Sequence, residues 1–345
     1  MNVKEMLFSD NIKDRLISIE YIAENKLNGY AKDLFSLLKY EKDLMVQEAI
    51  INTLKHLELE KVPDEIFLEL LLNEELLLKE FALSLLSINK RINILGKLLE
   101  NEDKDIRKYA LDGLYRTNDK EAIKYIAKCL DDQDINNQIA AIEYLGLLGA
   151  KEYSEKIANI LQRTNNQFLL TTILETLSLI GDDKSDNIVK EKINDFKKVH
   201  LIIPFAKYVF KRSNVFESID FFENCEYKHL IIKEFLDYLY KNHKKIYPYT
   251  KLKNKVIKEL IELLKYKEYI YDILTLINLL DQDEIDKIIL ENINELNSEG
   301  IIAVIEIINE RKLKSFKDIL QKIKNKFSDE IKMIIEETIM EMETW

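Results

Sequence analysis

Apolar residues recur along the first half of the chain with a double rhythm, every three or four positions within short stretches and every thirty or so between them. Ser18, Ile50, Ala82, Ala110, Ala141 and Ile173 fall in register at spacings of 32, 32, 28, 31 and 32, each small or apolar. Four residues after each comes Ile22, Leu54, Leu86, Leu114, Leu145 or Leu177, the next turn of the same helical face. Seven residues before them stand Asn11, Asp43, Glu75, Asp103, Asp134 and Asn166, and three before them Arg15, Gln47, Lys79, Arg107, Gln138 and Leu170.

An acid or amide just ahead of an apolar-periodic run accepts hydrogen bonds from the orphan amides of a helix start, and the helix dipole favours negative charge there. The column therefore predicts where a helix begins. A base or amide four residues further on lies one turn along, within reach of that acid or of the equivalent acid in the next copy. Between these starts lie other amphipathic segments, such as "KEAIKYIAKCLDD" at 120–132 and "SEKIANILQRTNN" at 154–166, so each unit reads as helix, turn, helix. Gly149 falls in register with Gly181, just past the second helix, where glycine commonly stops one. Two helices this short cannot bury an apolar stripe alone, so the copies must stack.

The best copies, "DKDIRKYALDGL" at 103–114 and "DQDINNQIAAIEYLGLLG" at 132–149, resemble the short bacterial HEAT repeat of the PBS-lyase type. The resemblance covers residues 10–182. It implies an all-α fold, an α-α superhelix of the HEAT/armadillo-like solenoid kind. It also implies a polar ladder along the array, drawn from Asp43, Glu75, Lys79, Asp103, Arg107 and Asp134, with pairs such as Asp103 and Arg107. After about residue 190 the polar columns vanish, while a fainter apolar phase continues at Phe205 with Val209, Phe235 with Leu239, Ile273 with Ile277, Ala303 with Ile307 and Ile335 with Ile339. These predict degenerate repeats, for about eleven units in all. The expected organisation is regular repeats over 1–190, then degenerate ones over 191–345 with a basic, Tyr-rich insertion near 241–254 and a polar C-terminal cap in "DEIKMIIEETIMEMETW". A separate, non-repeating helical domain is the alternative for the second half.

Composition narrows the class. Seven Gly and three Pro are about 3% of the 345 residues, against an average near 12%, which leaves little of the punctuation that hairpins need. A net charge of −11 and a pI near 5.2 argue against broad binding to nucleic acid or to an anionic membrane, since both need a large basic footprint. Two cysteines far apart make no disulfide framework. The start "MNVKEMLFSDNIKDRL" is too polar for a signal peptide, and no apolar run reaches the roughly 20 residues of a membrane span. A cytoplasmic protein without membrane insertion is expected.

Candidate chemistry is sparse. The chain has no Gly-rich phosphate loop, no G-x-S-x-G elbow and no His-Glu-x-x-His helix. Cys225 and His229 share a helical i,i+4 spacing but lack a second pair to complete a zinc site, and Asp131, Asp132 and Asp134 sit where each repeat keeps its helix-start acid. No catalytic residue, metal or cofactor is expected. One stretch stands out: residues 227–258 hold nine lysines against Glu234 and Asp237, with tyrosines at 227, 238, 240, 247 and 249 interleaved. Pro248 reads as a helix stop there, and the repeat spacing stretches to 38 between Phe235 and Ile273, which predicts a longer loop of the kind that often forms a solenoid's binding face.

The expected function is that of a non-catalytic scaffold or adaptor that docks a protein or peptide, acidic where it meets the basic stretch, on its concave face. The contact residues would be Lys228, Lys233, Tyr238, Lys241, Lys244, Lys245, Tyr247, Tyr249 and Lys251. The alternative is a HEAT-like enzyme or enzyme subunit, similar to the alkylpurine DNA glycosylases or to the HEAT-type bilin lyase subunit. Against the glycosylase stand the acidic charge and a single tryptophan, Trp345, and no residue carries a bilin chemistry. Nucleic acid is not an expected partner, and nothing in the pattern sets an oligomeric state.

Overall fold

The computed structural model describes residues 2–73 and 75–345, and among them are 23 α-helices and no strand. They form two compact units, Met1–Ser185 and Asp186–Trp345. The first holds six helix pairs: α1 (Val3–Leu7) with α2 (Ile12–Glu24), α3 (Ala31–Leu38) with α4 (Leu44–His56), α5 (Asp64–Leu71) with α6 (Leu76–Ile88), α7 (Ile92–Leu98) with α8 (Lys104–Arg116), α9 (Lys120–Ile126) with α10 (Ile135–Leu147), and α11 (Ser154–Ile160) with α12 (Gln167–Ile180). Second helices pack on one another, α2 on α4, α6 on α8, α8 on α10 and α10 on α12, and the shorter first helices lie against them. All twelve side chains of the two apolar columns, from Ser18 and Ile22 to Ile173 and Leu177, have no more than trace exposure. Gly113 on α8 has no room for a side chain, since a Cβ there would lie 2.7 Å from Leu83 of α6.

Polar columns fix where each second helix starts. Asn11, Asp43, Asp103, Asp134 and Asn166 accept from amides of the first turn, whereas Glu75 makes no such bond, being a residue type poorly suited to the cap. Two residues earlier stands an acceptor that the pattern does not reveal. Ser9, Glu41, Asn73, Asn101, Asp132 and Thr164 each accept from the cap residue's own amide.

The basic column does not make the pair that the resemblance implies. Arg107 donates bidentately to Asp132 of the next copy, at 2.9 and 2.8 Å, rather than to Asp103. A further nitrogen reaches back to the carbonyls of Asn101 and Glu102. Arg15 repeats the arrangement with Glu41 and the carbonyls of Ser9 and Asp10. Gln47 and Gln138, which carry no charge, keep only the backward bond, to the carbonyls of Glu41 and Asp132. The shared role of the column is thus to tie the turn to its own helix. Asp103 is occupied with capping, so the guanidinium goes to the acid that lies nearer in the neighbouring turn. Lys79 instead lies 5.9 Å from the Tyr109 ring, and Leu170 is buried.

The division between the units falls inside α13 (Asp183–Glu191). The second unit continues with α14 (Ile193–Phe196), α15 (Ile202–Arg212), α16 (Val215–Glu223), α17 (Ile232–Ile246), α18 (Thr250–Leu263), α19 (Ile270–Ile277), α20 (Gln282–Asn292), α21 (Ser298–Arg311), α22 (Lys317–Ile323) and α23 (Asp329–Glu341). Here α15, α17, α19, α21 and α23 form the second-helix layer, each packed on the next, so eleven second helices are present in the two units. Phe205, Phe235, Ile273, Ala303 and Ile335 and their partners four residues on are all buried. The polar columns vanish for a physical reason. α15, α17 and α19 begin one turn later than their counterparts, at the very position of the turn-tying donor, which is now Ile202, Ile232 or Ile270, each 1% exposed. The extra residues near 241–254 do not make a loop: they lengthen α17 to 15 residues and α18 to 14, leaving only 247–249 between them. The outer face of α23 is not wholly polar either, since Met333 and Met340 are exposed beside Glu337 and Glu341.

Gly149 adopts φ +70° at the end of α10, and the amide of Ala150 donates back to Leu145. Lys26, at the same place after α2, adopts φ 49°, a conformation that costs a side-chain-bearing residue about 1 kcal/mol. Lys26→Gly should therefore raise stability by about 0.5–1 kcal/mol in urea unfolding, and a loss would show that the side chain contributes something else. Leu145→Ala, at a fully buried column position, should cost about 2–5 kcal/mol.

Arg107→Ala should cost about 3–5 kcal/mol, because it leaves Asp132 buried and unpaired. Burial pushes the Asp132 carboxyl up, but the bonds and charge of Arg107, together with the bonds from the Asp134 amide and Asn137, outweigh it and hold the group below its ordinary value. A depressed pKa gives stability that is present above the unfolded value, near 3.9, and lost as pH falls through the folded one. The gap between wild type and Arg107→Ala should accordingly be widest near neutrality and shrink below about pH 4; a pH-independent gap would mean that the carbonyl bonds alone matter.

Candidate functional site

The basic stretch occupies α17, the short connection 247–249 and α18. In α17 the apolar stripe of Phe235, Leu236 and Leu239 is buried, which turns the lysines outward, and His243, Lys244 and Lys245 stand in the last turn, where the helix dipole favours positive charge. Five of the nine lysines are matched by acids of the same unit. Lys228 donates to both oxygens of Glu259, at 2.9 and 2.7 Å, and Glu259 is itself buried. Lys233 pairs with Asp237 and Asp272, Lys253 with Asp281 and Glu284, Lys255 with Asp220 and Glu223, and Lys258 with Glu262. Hydrogen bonds to these acids raise the pKa of Lys233, Lys253 and Lys255.

The tyrosines divide in the same way. Tyr238 is core, 6% exposed and stacked on Phe210. Tyr247 is half-buried and donates through its hydroxyl to the Leu276 carbonyl at 3.2 Å, and burial raises its pKa. Lys228, Lys233, Tyr238 and Tyr247 are thus structural members of the expected contact set.

What remains lies on α17 and α18, about the connection 247–249. Lys241, Lys244, Lys245 and Lys251 are exposed and make no ion pair among the described residues. Tyr249 is 54% exposed and meets Phe216 edge-on at 5.6 Å, and Tyr240, between the lysines on α17, is also exposed. A cavity of about 340 Å³ is lined by His243, Lys244, Tyr247, Pro248, Lys253, Leu279, Asp281 and Glu284. Phe216 belongs to α16 and carries no signal in the sequence that would join it to this group.

Other candidate chemistry is absorbed by structure. Asp131 pairs with Lys156 and Arg163, Asp132 with Arg107, and Asp134 caps α10. A cavity of about 390 Å³ within the second unit is lined by Val189, Ile193, Phe205 and Phe221. At its edge Asp186 accepts from Tyr208 at 2.6 Å and from Arg212 at 2.7 and 3.1 Å. No group of three His, Cys, Asp or Glu among the described residues is placed to hold a metal. Among the described residues no helix is long and apolar enough to cross a membrane.

With this geometry in hand, comparison with known families is informative over part of the chain. Residues 92–193 match the family model for HEAT repeats. That stretch is similar to HEAT repeats. No curated protein matches the chain. Among solved structures 49 chains match, one of them from a homology model of the full-length AP-3 complex in an intermediate open conformation. It has a TM-score of 0.46 and 15% identity, and the match covers 98% of this chain and 67% of that one.

Proposed function

We propose that the protein is a non-catalytic interaction scaffold, and that the α17–α18 turn binds an acidic segment of a protein or peptide partner from the exposed side of the second-helix layer. One observation carries the reading. In a chain of net charge −11, where neighbouring lysines are matched to acids, four lysines at one turn are left without acids and stand among exposed aromatic rings. Unmatched charge steers an oppositely charged partner, and half-exposed tyrosine and phenylalanine offer apolar area at low entropic cost. The HEAT-repeat stretch suits a scaffold, since stacked pairs offer extended surfaces for partners.

Lys241→Glu/Lys244→Glu/Lys245→Glu should weaken binding of a labelled, glutamate-rich peptide by roughly tenfold or more at low salt, with unchanged helicity. The same reversal at Lys13 and Lys42, in the first unit, serves as the control. Equal binding by the wild type and the α17 variant would sink the site, and an equal loss in the control would reduce it to bulk charge.

A further inference from the structure

A second surface lies in the first unit, at the turns that join the helices within each pair. The first three of these turns expose large apolar side chains: Phe8 at 47%, then Tyr40 and Leu44 at 73% and 75% with Met45 at 62%, then Leu72 and Leu76 at 58% and 64%. The fold does not require this. In the next three turns the positions of Tyr40 and Leu44 are held by Glu100 and Lys104, Asp131 and Ile135, and Arg163 and Gln167, and the helices start equally well. The first three turns are neighbours in space, tied by Arg15 to Glu41 and by Lys39 to Glu69, so the exposed side chains form one ridge. A contiguous apolar surface of this kind marks an interaction site.

We propose that this ridge docks an amphipathic helix of a partner protein, its apolar stripe on the ridge and its flanks carrying Lys or Arg. Three features select that occupant. Helix layers repeat at roughly 8–10 Å, so three turns span about 20 Å, the rise of about 14 helical residues. The turn amides at Asn11, Asp43 and Glu75 are already bonded to Ser9, Glu41 and Asn73, so an extended peptide would find no backbone partners for its own amides, while a helix brings its bonds with it. The rim carries Asp10, Asp43, Glu48 and Glu75, none in an ion pair with a nearby base among the described turn residues, against Lys13 and Lys42, while Lys39 is neutralised by Glu69. This excess of acid favours a basic-flanked helix and disfavours an anionic lipid surface.

The test uses the full chain and labelled synthetic helices of about 14 residues with one leucine stripe, flanked either by lysine or by glutamate, plus a scrambled sequence of the lysine form. The lysine-flanked helix should bind at least about tenfold more tightly than the other two. Tyr40→Ser/Leu44→Gln/Leu72→Gln/Leu76→Gln should abolish that preference while leaving the helical circular dichroism and the melting temperature unchanged. The variant alters no charge, so a merely electrostatic association would persist in it and would overturn the proposal. Equal binding of the scrambled peptide would do the same. So would sedimentation with phosphatidylcholine/phosphatidylserine vesicles, or a concentration-dependent self-association, that the variant loses. The α17 lysine variant should bind the lysine-flanked helix as the wild type does, which separates this surface from the one at the α17–α18 turn.

Discussion

A side chain that reaches back to bond the carbonyls of the turn before its own helix holds the register of the first unit. Arg15, Gln47, Arg107 and Gln138 all do this, and the two arginines add a bond to an acid of the following copy. A turn between helices leaves carbonyls and amides that must find partners. Here the backward donor satisfies the carbonyls, while the cap residue and the acceptor two places before it satisfy the amides. With its polar groups settled inside one turn, each helix pair is free to bury its apolar columns against the next.

The second unit reaches the same stacking without that device. Three of its second helices, α15, α17 and α19, start a turn later on buried isoleucine, and ion pairs between helices, such as Lys228 with Glu259, 31 residues apart, supply polar fixation there. Apolar columns therefore persist through both units while polar columns do not. Burial of a stripe tolerates many apolar residues, whereas a turn lock needs a donor of the right length at one position.

This contrast explains what could be read in the sequence. Helix starts and buried columns were legible because they recur at fixed spacing and rest on local chemistry, as at Asp134, Ala141 and Leu145. The acceptor column was not, because Ser9, Glu41, Asn73, Asn101, Asp132 and Thr164 share only a hydrogen-bonding oxygen, with no common size or charge. Spacing alone leaves Arg107 within reach of its own acid or of the next copy's, and the resemblance implies Asp103; the approach of Asp132 from the next copy is not visible in sequence. At the α17–α18 turn the surplus of lysine was legible, but which lysines are neutralised depends on acids such as Asp220, Glu259 and Asp272, brought in by other helices. The expected loop failed for a related reason: Pro248 does end a helix, yet the residues on both sides continue their amphipathic pattern, and helix is the cheaper way to accommodate them.

Exposure is the property that periodicity reports least well, and both candidate surfaces depend on it. Leu44 and Leu54 look alike in sequence, each an apolar residue in one helix of one repeat, yet one is 75% exposed and the other fully buried. The difference comes from their place on the helix: Leu54 faces the neighbouring second helix, whereas Leu44 is the first residue after the cap, where the chain emerges from a turn and nothing packs over it. An apolar residue there adds nothing to the stack, as the lysine at the equivalent position 104 shows. Structural necessity therefore does not account for Tyr40, Leu44, Leu72 and Leu76, just as it does not account for the unmatched lysines at 241, 244, 245 and 251. In a repeat protein the copies supply their own controls, and residues that depart from what their counterparts need are the ones free to serve a partner.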